Sequence, residues 1–236
     1  MKITLESIGI IHSCYGQKFG IPRQPGLVKS ATAYLELLEP YNRLEMVKGL
    51  ELFSHIWVHF FFHQTVDQGW RPTVRPPVLG GKKRVGVFAS RSPHRPNHLG
   101  LSVVRLVQIV HEGTRIGLEL AGIDLLDQTP VVDIKPYLPY SDRVEEAGGG
   151  FTITPTIHPV AFTPEAEQFC TVYEERTGRP LRQLITESLG HDPRPAAHRT
   201  TDQHYGMKLW ELNVRFVVEN ERFLVEKIDN YSPSAR

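Results

Sequence analysis

Residues 84–106 read RVGVFASRSPHRPNHLGLSVVRL. Both ends have strand character, at Val85–Phe88 and at Leu101–Leu106, where β-branched residues dominate. Between them Ser90, Arg91, Ser92, His94, Arg95, Asn97 and His98 crowd hydrogen-bonding groups into one short run. Pro93 and Pro96 fix φ and bias Ser92 and Arg95 towards extended backbone. A loop stiffened in this way has less entropy to lose when something binds. Arg91 and Arg95 carry planar forks suited to carboxylate or phosphate. Lys82, Lys83 and Arg84 extend the same stretch into a local basic cluster. A solvated polar connection between two strands is the plain alternative, but so dense a set of donors favours a functional loop.

The rest of the chain supports a β-rich fold. Ile3–His12 and Ala31–Glu39 read as strands, joined by a loop in which Gln24-Pro25-Gly26 predicts a tight turn. Such a turn either clasps a ligand with exposed backbone or is only a turn. Leu44–Leu52 fits a short helix with Gly49 as its weak point. In His55–Gln64 three histidines recur every fourth residue, a helical metal spacing, but Ile, Trp, Val and Phe between them favour a strand. On a strand His55 and His59 stand ~13 Å apart at roughly 3.3 Å per residue, too far for one ion. Val66–Lys83, rich in proline and glycine, predicts a long exposed flap. Leu101–His111 and Arg115–Leu120 form a hairpin around Glu112-Gly113-Thr114. Residues 121–137 set Asp124, Asp127 and Asp133 among apolar neighbours and lead to Tyr137 and Asp142.

After the glycine-rich break at Glu145–Gly150 the texture changes. Thr163-Pro164 opens a helix to Gly178, and a second helix spans Leu181–Leu189. A basic stretch, His191–Tyr205, precedes a hairpin of Lys208–Val218 and Arg222–Ile228. The expected division is a β core over residues 1–150 and a small helix-plus-hairpin domain over 151–236. Strands that do not alternate with long helices argue against a doubly wound parallel sheet and for a mainly antiparallel sheet or barrel.

Composition narrows the function classes. The 236 residues are 40% hydrophobic and 22% charged, with a net charge of +1, so any polyanion must meet a local patch. The two cysteines, Cys14 and Cys170, make no metal or redox motif and fit a reduced, cytoplasmic protein. No apolar run predicts a membrane span. No metal is expected, and the common nucleotide, hydrolase and zinc-protease motifs are missing.

Gly86–Val104 (GVFASRSPHRPNHLGLSVV) together with Gly122–Tyr137 (GIDLLDQTPVVDIKPY) resembles the TsaA/TrmO-like family of S-adenosylmethionine-dependent tRNA (adenine-N6) methyltransferases. Gln24–Gly26, Phe53–Val58 and Pro139–Asp142 strengthen the match, and the later part resembles the C-terminal extension of bacterial members. The resemblance implies a mainly β fold, a single-sheet antiparallel β-barrel core with a small C-terminal α+β domain. It implies a homodimer with S-adenosyl-L-methionine near the subunit interface. As substrate it implies N6-threonylcarbamoyladenosine at position 37 of tRNA, beside the anticodon. By motif position the cofactor contacts are Gln24, Pro25, Gly26, His63, Gln64, Arg91, Leu101, Ala121, Gly122, Ile123 and Asp124.

Methyl transfer from a sulfonium is an in-line displacement in which positioning dominates. Arg91 suits the cofactor carboxylate or an RNA phosphate, and Asp124 its ammonium or ribose hydroxyls. The target N6 is a weak nucleophile, and an acceptor for its hydrogen localises the lone pair. Asp133 and Asp142, beside Tyr137 and Tyr140, are the candidates, with the tyrosines either stacking the base or filling the core. His94, Arg95, Asn97, Lys82 and Lys83 are expected to face RNA or brace the loop, and His191–Tyr205 to add backbone contacts. Two other classes stay open: a non-catalytic tRNA-binding module, and a metal- or histidine-dependent hydrolase, which the strand spacing disfavours.

Overall fold

A computed structural model describes residues 1–152, 154–194 and 203–231. In chain order the first elements are β1 (Gly9–Ser13), β2 (Thr32–Leu37), α1 (Leu44–Val47), β3 (His55–Phe61), β4 (Thr73–Val74) and β5 (Val85–Gly86). Next come β6 (Leu99–Glu112), β7 (Arg115–Ala121), β8 (Thr129–Pro136) and α2 (Pro139–Asp142). Six strands close into a barrel in the order β1-β2-β7-β6-β3-β8, every neighbouring pair antiparallel. Closure leaves this sheet no unpaired edge. The expected mainly β barrel with a smaller α+β part is the architecture found.

Strand alternation builds the barrel interior. β3 buries Ile56, Val58 and Phe60 and turns His55, Trp57, His59 and Phe61 outward, so the histidines do share one face. Opposite Phe60 stands Gly100 of β6, where a Cβ would lie 2.2 Å from the phenyl ring. The aromatic ring therefore fills the space a side chain would take.

Several expectations shift. The first strand starts at Gly9 rather than Ile3, because pairing with β2 and β8 begins only there, and Ile3 and Leu5 are exposed. Val85–Phe88 is a strand for two residues only, paired with β4, after which the chain turns and leaves Phe88 exposed. The helix over Leu44–Leu52 breaks at Gly49, whose φ is 86°. Thr129–Pro136, which carried no strand expectation, is β8 and seals the barrel between β1 and β3.

Beyond the glycine-rich break lie β9 (Val160–Phe162), α3 (Pro164–Thr177), α4 (Leu181–Gly190), β10 (Tyr205–Leu209), β11 (Leu212–Glu219) and β12 (Arg222–Asn230). Thr163 caps α3, its hydroxyl accepting from the Ala166 amide at 3.2 Å. The sheet order is β10-β11-β12-β9, with β9 parallel to β12. The run expected as one strand over Lys208–Val218 folds back at Trp210-Glu211, so the motif has three antiparallel strands instead of two. Trp210 holds this turn at φ 51° through its amide bond to Cys14 O at 2.8 Å and the Arg179 guanidinium over its ring. Residues 195–202 of the basic stretch His191–Tyr205 lie outside the described residues.

The two sheets share one apolar core. Ile11, Leu35, Val58 and Leu118 of the barrel are continuous with Ile185, Leu189, Met207 and Phe216 of the later part.

Candidate functional site

The proline loop is stapled from inside. Ser90 Oγ donates to Val87 O at 2.8 Å, and the Ser92 amide donates to Ser90 Oγ at 3.3 Å. Arg95 Nη1 donates to Ser90 O at 3.1 Å, and His98 Nδ1 to Pro93 O at 3.1 Å. Asn97 and His98 adopt positive φ, 65° and 50°, which re-aims the chain into β6. The loop is tied to the flap by Arg71 N to His94 O at 3.0 Å, and to the end of β3 by Phe62 N to His98 O at 2.8 Å. Arg95 thus braces the loop, while Arg91 reaches out of it and donates to the Gln24 side-chain oxygen.

Gln24 belongs to the predicted turn. Gly26 has φ 75°, and its amide donates to Gly122 O at 2.8 Å. Gly122 has φ 72°, and its amide donates to Ala31 O at 2.8 Å. A Cβ on Gly122 would stand 3.4 Å from Gly26 Cα, so the turn and the segment after β7 meet backbone to backbone. Two residues on, Asp124 accepts from Ser102 Oγ at 2.7 Å. Burial pushes the Asp124 carboxyl up to about 6, opposed by the Ser102 bond and by the positive charge of Arg91.

These pieces surround a cavity of about 830 Å³, within the roughly 300–1,000 Å³ of ligand pockets. Of the residues expected to touch the cofactor, Gln24, His63, Gln64, Arg91, Leu101 and Asp124 line it. Pro25, Gly26, Ala121, Gly122 and Ile123 do not line it, and the Gly26–Gly122 contact sets the backbone from which Gln24 and Asp124 project. His94 and Arg95 line the cavity as well, whereas Asn97, Lys82 and Lys83 are exposed outside it. His63 sits below the ordinary histidine range, chiefly through burial and further through Lys18.

The candidate acceptors lie to one side. Asp133, Tyr137 and Asp142 do not line the cavity, but Trp57 does, and it connects two of them to it. Trp57 Nε1 donates to Asp142 Oδ2 at 2.9 Å, and its ring stands 5.8 Å from that of Tyr137. Asp142 Oδ2 also accepts from the Leu138 amide at 2.8 Å, and these two bonds hold its carboxyl below the ordinary range. Asp133 accepts from the Ile134 amide at 3.0 Å and faces Lys135 at 3.6 Å.

Trp57 and Ser102 are wall residues that sequence reasoning did not single out. Ser102 left a signal, a hydroxyl on the same inward face as Val104 and Leu106. Among the described residues no group of three His, Cys, Asp or Glu side chains is placed to hold a metal, and no helix is long and apolar enough to cross a membrane.

The tRNA-methyltransferase O N-terminal domain matches residues 10–143 and the TrmO C-terminal domain residues 155–231. The chain is 47% identical over 228 residues to a tRNA (adenine(37)-N6)-methyltransferase of Escherichia coli, covering 95% of this chain and 97% of that one. It is 45% identical to a putative S-adenosylmethionine-dependent methyltransferase, RcsF, of Pseudomonas aeruginosa, covering 92% and 93%. A crystal structure of TrmO superposes with a TM-score of 0.82 at 39% identity, covering 98% of this chain and 100% of the other. One family thus accounts for both the barrel and the part that follows it: the chain belongs to the tRNA-methyltransferase O (TrmO) family.

Proposed function

We propose that this protein is an S-adenosylmethionine-dependent methyltransferase acting on N6 of adenine 37 in tRNA, and that the cavity holds its cofactor. The observation that carries the reading is the convergence of Arg91, Gln24 and Asp124, from three separate segments, on one pocket. The donor set fits the ligand: a guanidinium for its carboxylate, a half-buried carboxylate for its ammonium or ribose hydroxyls, and Phe60 and Phe62 as apolar wall. When bound, S-adenosylmethionine supplies an electrophilic methyl carried on a sulfonium. The work of this chain is to hold that group and the base in register and to keep water out.

The base is proposed to enter beside Trp57. The anticodon loop is single-stranded, so a splayed adenine can stack on an aromatic face there. Among the candidate acceptors Asp142 has the stronger support. Its carboxyl is held in the ionised form, and it anchors the indole against which the base would lie. Asp133 is already engaged with Lys135. An ionised Asp142 that accepts the N6 hydrogen sharpens a lone pair otherwise spread into the ring. His94, Arg95, Asn97, Lys82 and Lys83 are assigned to the RNA backbone or to bracing the loop that faces it.

The finer substrate is proposed to be N6-threonylcarbamoyladenosine, in keeping with a cavity lining that offers Arg95 and His94 to an added carboxylate. The protein is further proposed to be a homodimer. Phe88, Trp70 and Leu101 are 78%, 60% and 45% exposed on the flap and cavity rim, apolar surface that a second copy would cover. Two free, buried cysteines agree with a reducing, cytoplasmic setting.

The test is transfer of labelled methyl to two tRNAs, one with and one without the threonylcarbamoyl group. Label on the modified tRNA alone is the expected outcome. Equal labelling of both would remove the substrate assignment. Labelling of neither, with tRNA still bound, would leave a binding module.

A further inference from the structure

The Gln24–Gly26 turn has a second support, from a helix of the C-terminal part. Just after the turn, the amide and the hydroxyl of Ser30 both donate to Glu187 Oε2 of α4, each at 2.9 Å. The other carboxylate oxygen accepts from the Gln183 side-chain amide at 2.8 Å, which fixes its rotamer from within the helix. One turn further on, His191 Nε2 bonds Leu27 O at 3.0 Å. A carbonyl can only accept, so Nε2 carries the proton. Its Nδ1 is buried without a partner among the described residues, a polar cost borne at this junction.

Leu27 and Ser30 stand directly between the turn and β2. The next residue, Ala31, accepts the Gly122 amide at 2.8 Å, and Gly122 in turn accepts the Gly26 amide. The segment is thus gripped on one side by α4 and on the other by the backbone that carries Asp124.

We infer that Glu187 and His191 are positioning residues: the C-terminal part sets the place of the Gln24–Gly26 turn and so tunes cofactor affinity. The inference rests on the proposed reading of the turn as part of the cofactor site. Without Glu187, Ser30 is left with a buried amide and a buried hydroxyl that must find water or move. Movement of Ser30 carries the turn with it, because only Leu27, Val28 and Lys29 separate them and Leu27 is itself held by His191. Neither residue lines the cavity, so the effect falls on binding and leaves the transfer step intact.

The experiment measures S-adenosylmethionine binding by calorimetry, and kcat and KM for cofactor and tRNA, on the full chain. Glu187→Ala is expected to weaken cofactor binding ~10-fold or more, with kcat at saturating cofactor and KM for tRNA within ~2-fold of the parent. Glu187→Gln keeps an oxygen acceptor for Ser30 and is expected to restore affinity to within ~3-fold of the parent. Arg182→Ala breaks a 2.8 Å ion pair with Glu167 in the same part, one that involves no residue of the turn, and controls for lost stability. Gly26→Val strains the turn itself. If Gly26→Val abolishes binding while Glu187→Ala binds like the parent, the inference is wrong and the reading of the turn stands. If Gly26→Val binds normally, the reading of the turn fails and takes the inference with it. Equal weakening by Arg182→Ala and Glu187→Ala would mean a general loss of stability and would also overturn it. Should Glu187→Ala not fold, His191→Ala carries the same test with the same outcomes.

Discussion

Burial raises the Asp124 carboxyl to about 6 from an ordinary 3.8, so the folded protein holds this proton more tightly than the unfolded chain. The sign follows: raising the pH from about 4 through about 6 costs the ligand-free fold stability, because a poorly solvated charge must then form. A cationic ammonium reverses the preference and favours the carboxylate. Cofactor affinity is therefore expected to be flat above about pH 6 and to fall by up to ~10-fold per pH unit below it. Burial also lowers His63, a second titratable residue of the cavity wall. The fall should persist in His63→Gln and vanish in a uniformly weaker Asp124→Asn; calorimetry at several pH values decides. For Asp142→Asn the amide oxygen can still accept from Trp57 while the charge is lost. Its kcat is expected to drop ~100-fold at unchanged cofactor affinity, in the range for a lost general base. An unchanged kcat would move the acceptor role elsewhere.

Among the elements, β3 and β6 meet at Phe60 and Gly100, and the barrel wall beside the cavity depends on that fit. Gly100→Ala places a methyl inside the space of the phenyl ring. It is expected to destabilise the fold by about 1–3 kcal/mol, the usual cost of overpacking, measured by urea denaturation. The elements also show where sequence patterns suffice. β3, β6 and β7 were legible because alternating apolar residues and a Glu-Gly-Thr turn carry the signal locally. β8 was not, since Pro130 and Pro136 argue against a strand. Both prolines sit near its ends, where a missing amide hydrogen is tolerated. The reversal at Trp210-Glu211 has no glycine or asparagine to announce it, and its geometry is held by Cys14, some two hundred positions away. The cavity was half legible. Arg91 and Gln24 stand in motifs as site candidates, but Trp57 enters only within the Phe53–Val58 motif, and its bond to Asp142 exists only in three dimensions.

For the whole molecule, net charge gives no global attraction to RNA, so binding must rest on the loop and flap. Lys82→Ala with Lys83→Ala is expected to lower the slope of log affinity for tRNA against log salt by ~1–2, leaving cofactor binding intact. An unaltered slope would place the RNA on another face. The parallel pairing of β9 with β12 has a consequence for synthesis. All six barrel strands have left the ribosome once Pro136 is out, whereas β9 waits for a partner made some sixty residues later. A nascent chain can therefore close its barrel early, with Cys14 and its neighbours bare, and gains the cover of the second sheet only as translation reaches β12. Premature release within that interval would yield a protein with every barrel ladder formed and a sticky apolar flank, a substrate for chaperones and proteases.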